Sequence, residues 1–296
     1  MAVDIQGYFA PQTAQEAVDT LQQCQGNARI IAGGTDLVVD LQAGSKTSKY
    51  LVDICGIGEL RGIGYDGRNI RIGAAVTHAE IAESSIVRQK ALVLAEASAS
   101  VGSHLTRNQG TLVGNVMNAQ PAADGAVALF SLDAQVEVIG HEGTRRMAIE
   151  ELYQGIGQCT LDSSSELVTA VEFRALDDEY RSSFARLDQR RALSLPVVNV
   201  GAVISVRDGS FRDVQIAMGP VAAVPFRAQD AAGFLIGAPV SAHAIDRAAE
   251  LAMQEAQPRD SAIRGSGAYR QEMVRVLVRR ALRSAVEAFG LSIPEQ

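Results

Sequence analysis

Ala14, Ala17, Val18 and Leu21 recur at helical spacing. Ahead of them, Thr13-Ala14-Gln15-Glu16 reads as a capping box, in which Thr13 and Glu16 satisfy each other's free backbone N–H groups. The helix ends before Gly26-Asn27, and Arg29-Ile30-Ile31-Ala32 reads as a short buried strand running into Gly33-Gly34. Thr35 or Asp36 can cap the helical stretch that follows, Leu37 to Leu41. Strand patterns then cover Tyr50–Ile54 and Asn69–Ala74, and helical patterns cover Thr77–Glu83 and Arg88–Val101. Thr106 to Ala119 shows little periodicity and reads as a structured loop. Pro121 opens an apolar helix, Ala122 to Leu132. Gln135–Ile139 and Arg145–Ala148 flank a hairpin turn, and Leu167–Phe173 is a further strand.

Asp177-Asp178-Glu179 marks a boundary. Beyond it, Val200–Val206 and Phe211–Ala217 alternate around Asp208-Gly209, the dipeptide suited to a type I′ turn. Two helices follow, about Ser241–Ala256 and Ala268–Phe289. The second carries Met273, Val276, Leu277 and Ala281 on one face, with Arg270, Arg275, Arg279 and Arg283 elsewhere. The pattern divides the 296 residues into two α+β regions near residue 177.

Composition narrows the function classes. A chain 47% hydrophobic and 21% charged is ordinary globular chemistry. A net charge of -7 argues against a nucleic-acid binder, which needs clustered cations. Cys24, Cys55 and Cys159 are scattered, with no CxxC and no Cys/His cluster, so an iron–sulfur centre, a structural zinc or a disulfide framework is not expected of this chain. Redox chemistry would need a bound organic cofactor. His78, His104, His141 and His243 are isolated and read as solvated or core histidines. Neither a secretory leader nor an apolar run long enough to span a bilayer is present, so a cytoplasmic location is expected.

Gly62-Ile63-Gly64-Tyr65-Asp66-Gly67 has the letters of the dinucleotide fingerprint, but a strand pattern follows where that motif requires a helix. A hairpin turn accounts for it better. Ala32-Gly33-Gly34-Thr35-Asp36 sits between a buried strand and a helix. There free N–H groups can gather around an anion, or the segment can be a plain capped turn. Arg107 to Asn115, continuing through Asn118 to Asp124, places Asn and Thr on glycine turns while Leu112, Val113, Val116 and Met117 need burial. A loop that buries apolar residues and presents polar ones suits an extended polar ligand.

These two loops resemble the FAD-binding medium subunit of the molybdenum hydroxylases, the family of aerobic carbon monoxide dehydrogenase, xanthine dehydrogenase and N-heterocycle dehydrogenases. The likeness extends to Tyr8-Phe9-Ala10-Pro11, Ile70–Ala74, Pro225–Ala228 and Arg259-Asp260 to Tyr269-Arg270, essentially the whole chain. It implies an α+β fold of the vanillyl-alcohol-oxidase (PCMH) type. In it a FAD-binding part, residues 1–176 (subdomains about 1–55 and 56–176), precedes a C-terminal α+β domain, residues 177–296. Carried over, Gly33, Gly34, Thr35, Thr111 and Gly114 would contact the FAD diphosphate, within the wider turns Ile31, Ala32, Asp36, Leu37 and Val113. Asn115 would lie nearby, Asp124 on the adenosine half, backbone near Leu167 against the adenine, and Arg186 near the flavin. Val113 stands where the family has the first glycine of a pair, Gln120 where it has Ser or Thr, and Leu105-Thr106 where it has Gln-Ile. The second loop is therefore expected to be reshaped.

The function implied is an electron-transfer flavoprotein subunit, with no catalytic residue of its own for substrate hydroxylation. A small partner would carry two [2Fe-2S] clusters and a large one the molybdenum (molybdopterin) cofactor, assembled as a dimer of heterotrimers. Electrons would leave to an external acceptor. Two rival readings are a free-standing FAD oxidase or dehydrogenase and a cofactor-free assembly scaffold.

Overall fold

In the computed structural model, residues 4–190 and 192–294 are described. The chain opens as β1 (Gly7–Phe9), α1 (Ala14–Gln23), β2 (Ala28–Ile31), α2 (Leu37–Ala43) and β3 (Tyr50–Asp53). The three strands form a parallel sheet in the order β1-β3-β2. The α1 cap differs in one detail from the expected box. Thr13 Oγ1 accepts from Glu16 N at 3.1 Å, but the Glu16 carboxylate reaches one residue further back, to Gln12 N at 2.8 Å.

Next come β4 (Ile63–Tyr65), β5 (Asn69–Gly73), α3 (His78–Glu83), α4 (Ser85–Lys90), α5 (Leu92–Ser100), α6 (His104–Gln109), α7 (Leu112–Met117) and α8 (Asp124–Ser131). The segment 62–67 belongs to a hairpin, as expected, although most of it is strand β4 itself: β4 and β5 pair antiparallel, and the turn between them starts at Asp66, with Gly67 at φ +96. The single helix expected over 88–101 is two, because Ala91 breaks the helix at φ -161. The apolar helix expected from Ala122 begins at Asp124, so Pro121 lies in the preceding turn.

Then follow β6 (Gln135–Gly140), β7 (Gly143–Ala148), the small pair β8 (Tyr153–Gly155) and β9 (Gln158–Cys159), and β10 (Leu167–Arg174). An antiparallel sheet runs β4-β5-β10-β6-β7. Its central strand, β10, is buried on both faces from Leu167 to Val171, so its apolar residues run on without alternation.

The last part is β11 (Tyr180–Leu187), β12 (Val198–Arg207), β13 (Ser210–Gly219), β14 (Phe226–Arg227), α9 (Gln229–Leu235), α10 (Ala242–Glu255) and α11 (Gly267–Glu287). Four antiparallel strands stand in sequence order. Asp208 and Gly209 both take positive φ, 53° and 71°, as a type I′ turn demands. Alternation along β12 splits its side chains between two cores. Val198, Val200, Ala202 and Ile204 pack toward α10 and α11, while Val203 joins the core of the first half. On that second face Gly201 faces Ser131 of α8 and Val93 of α5, where a Cβ would approach Ser131 Oγ to 2.8 Å. All eight residues of α8 are buried, which places it between the two halves. The buried side of α11 is displaced from the expected one. It runs Val274, Leu277, Val278, Ala281, Leu282, Ala285 and includes Arg270, whose guanidinium donates to the carbonyls of Val197, Arg259 and Pro220.

Candidate functional site

A cleft of about 450 Å³ runs between the parallel sheet, α7, α8 and the start of β10. That lies within the usual size of ligand sites, about 300–1,000 Å³. Two backbone turns cross at its centre. The first leaves β2 through Ala32, Gly33, Gly34, Thr35 and Asp36. Gly34 takes φ +69, a conformation open to glycine. Gly33 lies flat on the second turn, where an added Cβ would overlap the Gln109 carbonyl and stand 2.8 Å from Gly110 N. A Cβ on Gly110 would in turn lie 3.3 Å from Thr35 Oγ1.

The second turn is formed by two short helices rather than the structured loop the sequence suggested. Ser103 caps α6 through Thr106 N, and Thr111 caps α7 through Gly114 N at 3.1 Å. Thr111 is buried and held against α3, with His78 N donating to Gly110 O and Leu112 N to Val76 O. Among the described residues, the N–H groups of Gly33, Gly34, Thr35, Asp36, Thr111 and Val113 donate to no protein acceptor. Backbone donors left unpaired in this way are costly unless something else accepts from them. Free donors converging from two crossing turns fit a compact, oxygen-rich anion.

Of the residues singled out in the sequence, Ile31 through Leu37, Thr111, Val113, Gly114, Asn115, Asp124 and Leu167 all line this cleft. Val113 turns its side chain into the core, 4% exposed, so the missing glycine leaves the cleft wall intact. Asp36 stands at the α2 cap position without making a side-chain cap bond, which corrects the capping role expected of it, and Thr35 does not cap either. The Asp36 carboxyl lies above its ordinary pKa range, pushed up by burial and then by the charge of Asp40.

Arg186 is not on the cleft wall. It stands behind Asp124, with Nε 3.4 Å from Asp124 Oδ1 and 3.1 Å from Asp188 Oδ1. Its terminal nitrogens donate to Ser100 O at 2.6 Å and to Ser194 O. Asn199 Nδ2 donates to Asp124 Oδ1 at 2.6 Å. This knot ties α5 and α8 to β11, β12 and the 188–197 segment. Burial raises the Asp124 pKa to about 6, although Arg186 and Asn199 pull it down.

The cleft also contains residues that sequence reasoning passed over. Lys46 bonds Asp40 at 2.8 Å and reaches Asn118 Oδ1 at 3.4 Å, joining the helices that follow the two turns. His78, taken as solvated or core, is buried and lines the cleft. Leu193, Ser194 and Leu195 close one end from the C-terminal half. None belonged to a motif, because each arrives from a distant element.

Comparison with known proteins identifies the family. The family described as "FAD binding domain in molybdopterin dehydrogenase" matches residues 3–173. "CO dehydrogenase flavoprotein C-terminal domain" matches residues 180–285. The chain is 28% identical over 290 residues to the xanthine dehydrogenase FAD-binding subunit of Escherichia coli O157:H7, covering 97% of this chain and 98% of that one. It is 30% identical over 278 residues to the glyceraldehyde dehydrogenase medium chain of Sulfolobus acidocaldarius, covering 93% and 96%. Among solved structures, a chain of carbon monoxide dehydrogenase from Hydrogenophaga pseudoflava superimposes with TM-score 0.92 at 26% identity, over 97% of this chain and 99% of that chain. A chain of quinoline 2-oxidoreductase from Pseudomonas putida 86 gives 0.91 at 26% identity, over 98% and 100%. The chain belongs to the family of FAD-binding flavoprotein subunits of molybdenum-containing dehydrogenases.

Proposed function

We propose that the cleft holds one FAD, with its diphosphate at the crossing of the two turns. The free N–H groups of Gly33, Gly34, Thr35, Asp36, Thr111 and Val113 carry this reading. Two turns meeting there can grip a diphosphate from both sides. Thr35 and Gly114 border the same crossing, and Lys46 supplies the nearby cation. Leu167 faces the adenine through its backbone, Asp124 serves the adenosine half, and Arg186 orients the Asp124 carboxylate from behind. We divide the chain into a FAD-binding part, residues 1–176, and a C-terminal domain, residues 177–296. The gap between β10 and β11 and the two family matches support that boundary.

In this role the chain is the electron-transfer subunit of a heteromeric molybdenum hydroxylase, assembled as a dimer of heterotrimers. A small partner brings [2Fe-2S] clusters and a large one the molybdenum cofactor where substrate is hydroxylated. FAD held there would supply one- and two-electron chemistry between the partner's clusters and an external acceptor. The chain's own residues bind the cofactor, orient it and exclude water around it. No helix among the described residues is long and apolar enough to cross a membrane, and we place the assembly in the cytoplasm.

Rapid mixing of the FAD-loaded subunit with candidate substrates, alone and in the assembled complex, tests this role. Bleaching of the flavin bands is expected only in the complex. Bleaching of the isolated subunit by a small substrate would establish a free-standing enzyme instead.

A further inference from the structure

Pro258 to Gly267 forms a closed loop ahead of α11. Its ends touch: Gly267 N donates to Asp260 Oδ1 at 2.7 Å, and a Cβ on Gly267 would stand 2.5 Å from the Pro258 carbonyl oxygen. Inside it Ser261 and Gly265 exchange backbone hydrogen bonds at 3.1 and 3.0 Å, with Gly265 at φ +92. Two contacts fix the loop to the segment that closes the cleft. Gln189 Nε2 donates to Ile263 O, and Arg270, buried at the start of α11, donates to Val197 O at 3.2 Å and back to Arg259 O at 2.8 Å. Between Gln189 and Val197 lie Leu193 and Leu195, which line the cleft and are nevertheless 57% and 58% exposed. That end of the cleft is a mouth open to solvent.

The loop carries Arg259, exposed, and Arg264, half-buried. Among the described residues neither guanidinium donates to a protein acceptor or pairs with a carboxylate, and Arg270 beneath them donates only to carbonyls. Asp260, the loop's own carboxylate, is engaged at the neck by Gly267 N. The three cations disfavour one another. Burial and then Arg259 lower the Arg264 pKa, and burial, Arg264 and Arg259 lower that of Arg270. Such a cluster, on a chain of net charge -7, is relieved by an anion from outside. Guanidinium forks match phosphate oxygens two at a time. Leu193, Leu195 and Ile263, all exposed beside the arginines, offer an apolar surface to a flat ring.

We propose that Arg259 and Arg264 form a phosphate site at the mouth of the cleft, and that its ligand is the nucleoside diphosphate part of the external electron acceptor. The arginines stand outside the cleft, next to the residues past which an acceptor must reach a cofactor held within. The inference rests on the cleft being the FAD site, and it narrows the acceptor to a phosphate-bearing dinucleotide.

Calorimetric titration of the FAD-loaded full chain with ADP-ribose, adenosine and inorganic phosphate tests it, since bound FAD keeps the probes out of the cleft. ADP-ribose is expected to bind and adenosine not. Arg259→Gln and Arg264→Gln each weaken ADP-ribose about tenfold, the loss expected for one charge-assisted contact, with flavin content unchanged. Arg275→Gln, which removes only an exposed ion pair with Glu272, leaves the affinity as it was. Reoxidation of the reduced chain by limiting NAD slows about tenfold in the two loop variants, and reoxidation by uncharged menadione does not change. Inorganic phosphate binding as tightly as ADP-ribose would assign the loop to free phosphate and overturn the acceptor reading. Equal ADP-ribose affinity in wild type and loop variants, or none in any, would overturn the site itself. Loss of assembly with the partner subunits in Arg259→Glu, with no probe bound by the wild type, would make the loop a docking face for acidic residues instead. A wild-type chain that takes up no FAD would sink the cofactor reading, whatever the arginines bind.

Discussion

Gly33→Ala is expected to lower FAD affinity at least about 100-fold, the equivalent of some 3 kcal/mol. A methyl group at this position needs no charge to do damage. Its carbon would overlap the Gln109 carbonyl and stand 2.8 Å from Gly110 N, and both belong to backbone that the helices α6 and α7 hold in place. The two turns must separate, so the free N–H groups of Gly33–Asp36 and of Thr111 and Val113 no longer converge. Gly56→Ala is the control. Nothing lies within 4 Å of a Cβ there, and the variant should bind FAD as the wild type does. Equilibrium titration of both apoproteins, with circular dichroism to confirm folding, decides the matter. Wild-type affinity in Gly33→Ala would show that the crossing is not where the diphosphate sits.

Arg186→Ala is expected to produce the largest loss of stability. The substitution leaves buried Asp124 and half-buried Asp188 without their shared cation, and the carbonyls of Ser100 and Ser194 without their donor. Removing one partner of a buried ion pair costs about 3–5 kcal/mol. For a chain of this size that is a fall in melting temperature of about 10 °C.

The loss should depend on pH, and its sign follows from Asp124. In the folded protein burial raises this carboxyl to about 6, above the ordinary value of about 3.9 for an unfolded chain. The folded state therefore binds the proton more tightly. The stability this group contributes is fully present below about pH 4 and is lost as pH rises through about 6. Without Arg186 the carboxylate loses its main compensating charge. The deficit of Arg186→Ala relative to wild type is then greatest near pH 8 and shrinks toward pH 5. Calorimetry at both pH values measures it, and an equal deficit at both would mean the knot does not bury a charge that Arg186 balances.

Much of this arrangement was legible in the sequence where local chemistry alone decides the outcome. Asp208-Gly209 specified a type I′ turn, and Gly62 to Gly67 was separable from a nucleotide motif because a strand pattern follows it. The Gly33-Gly34 segment stood out as small residues between a buried strand and a helix, and Thr111–Asn115 as a run that buries Leu112 and Val113 while presenting Thr and Asn.

What escaped the sequence was either a short local cap or a contact between distant elements. The 104–117 segment lacks a sustained apolar period, yet Ser103 and Thr111 each start a short helix by capping it, a signal present in the residues themselves. Strand β11 was missed because Ser182 and Ser183 are buried polar residues. They bond Val93 N and the Ala281 carbonyl, so no hydrophobic alternation marks the strand. Lys46 and His78 were unremarkable in sequence because the cleft they border is assembled from several other elements. Arg186 was expected near the flavin by likeness alone, and its place in the fold, behind the Asp124 carboxylate, follows from contacts that no local pattern encodes.

The proposed role of the cleft depends on a single cofactor held by its diphosphate. Titrating the apoprotein with FAD and with FMN, followed by flavin fluorescence and by analysis of the acid-released cofactor, tests that most directly. One FAD per chain is expected, bound far more tightly than FMN, which lacks the diphosphate proposed to sit at the crossing turns. A colourless protein that takes up no FAD, or one that binds FMN equally well, would contradict it.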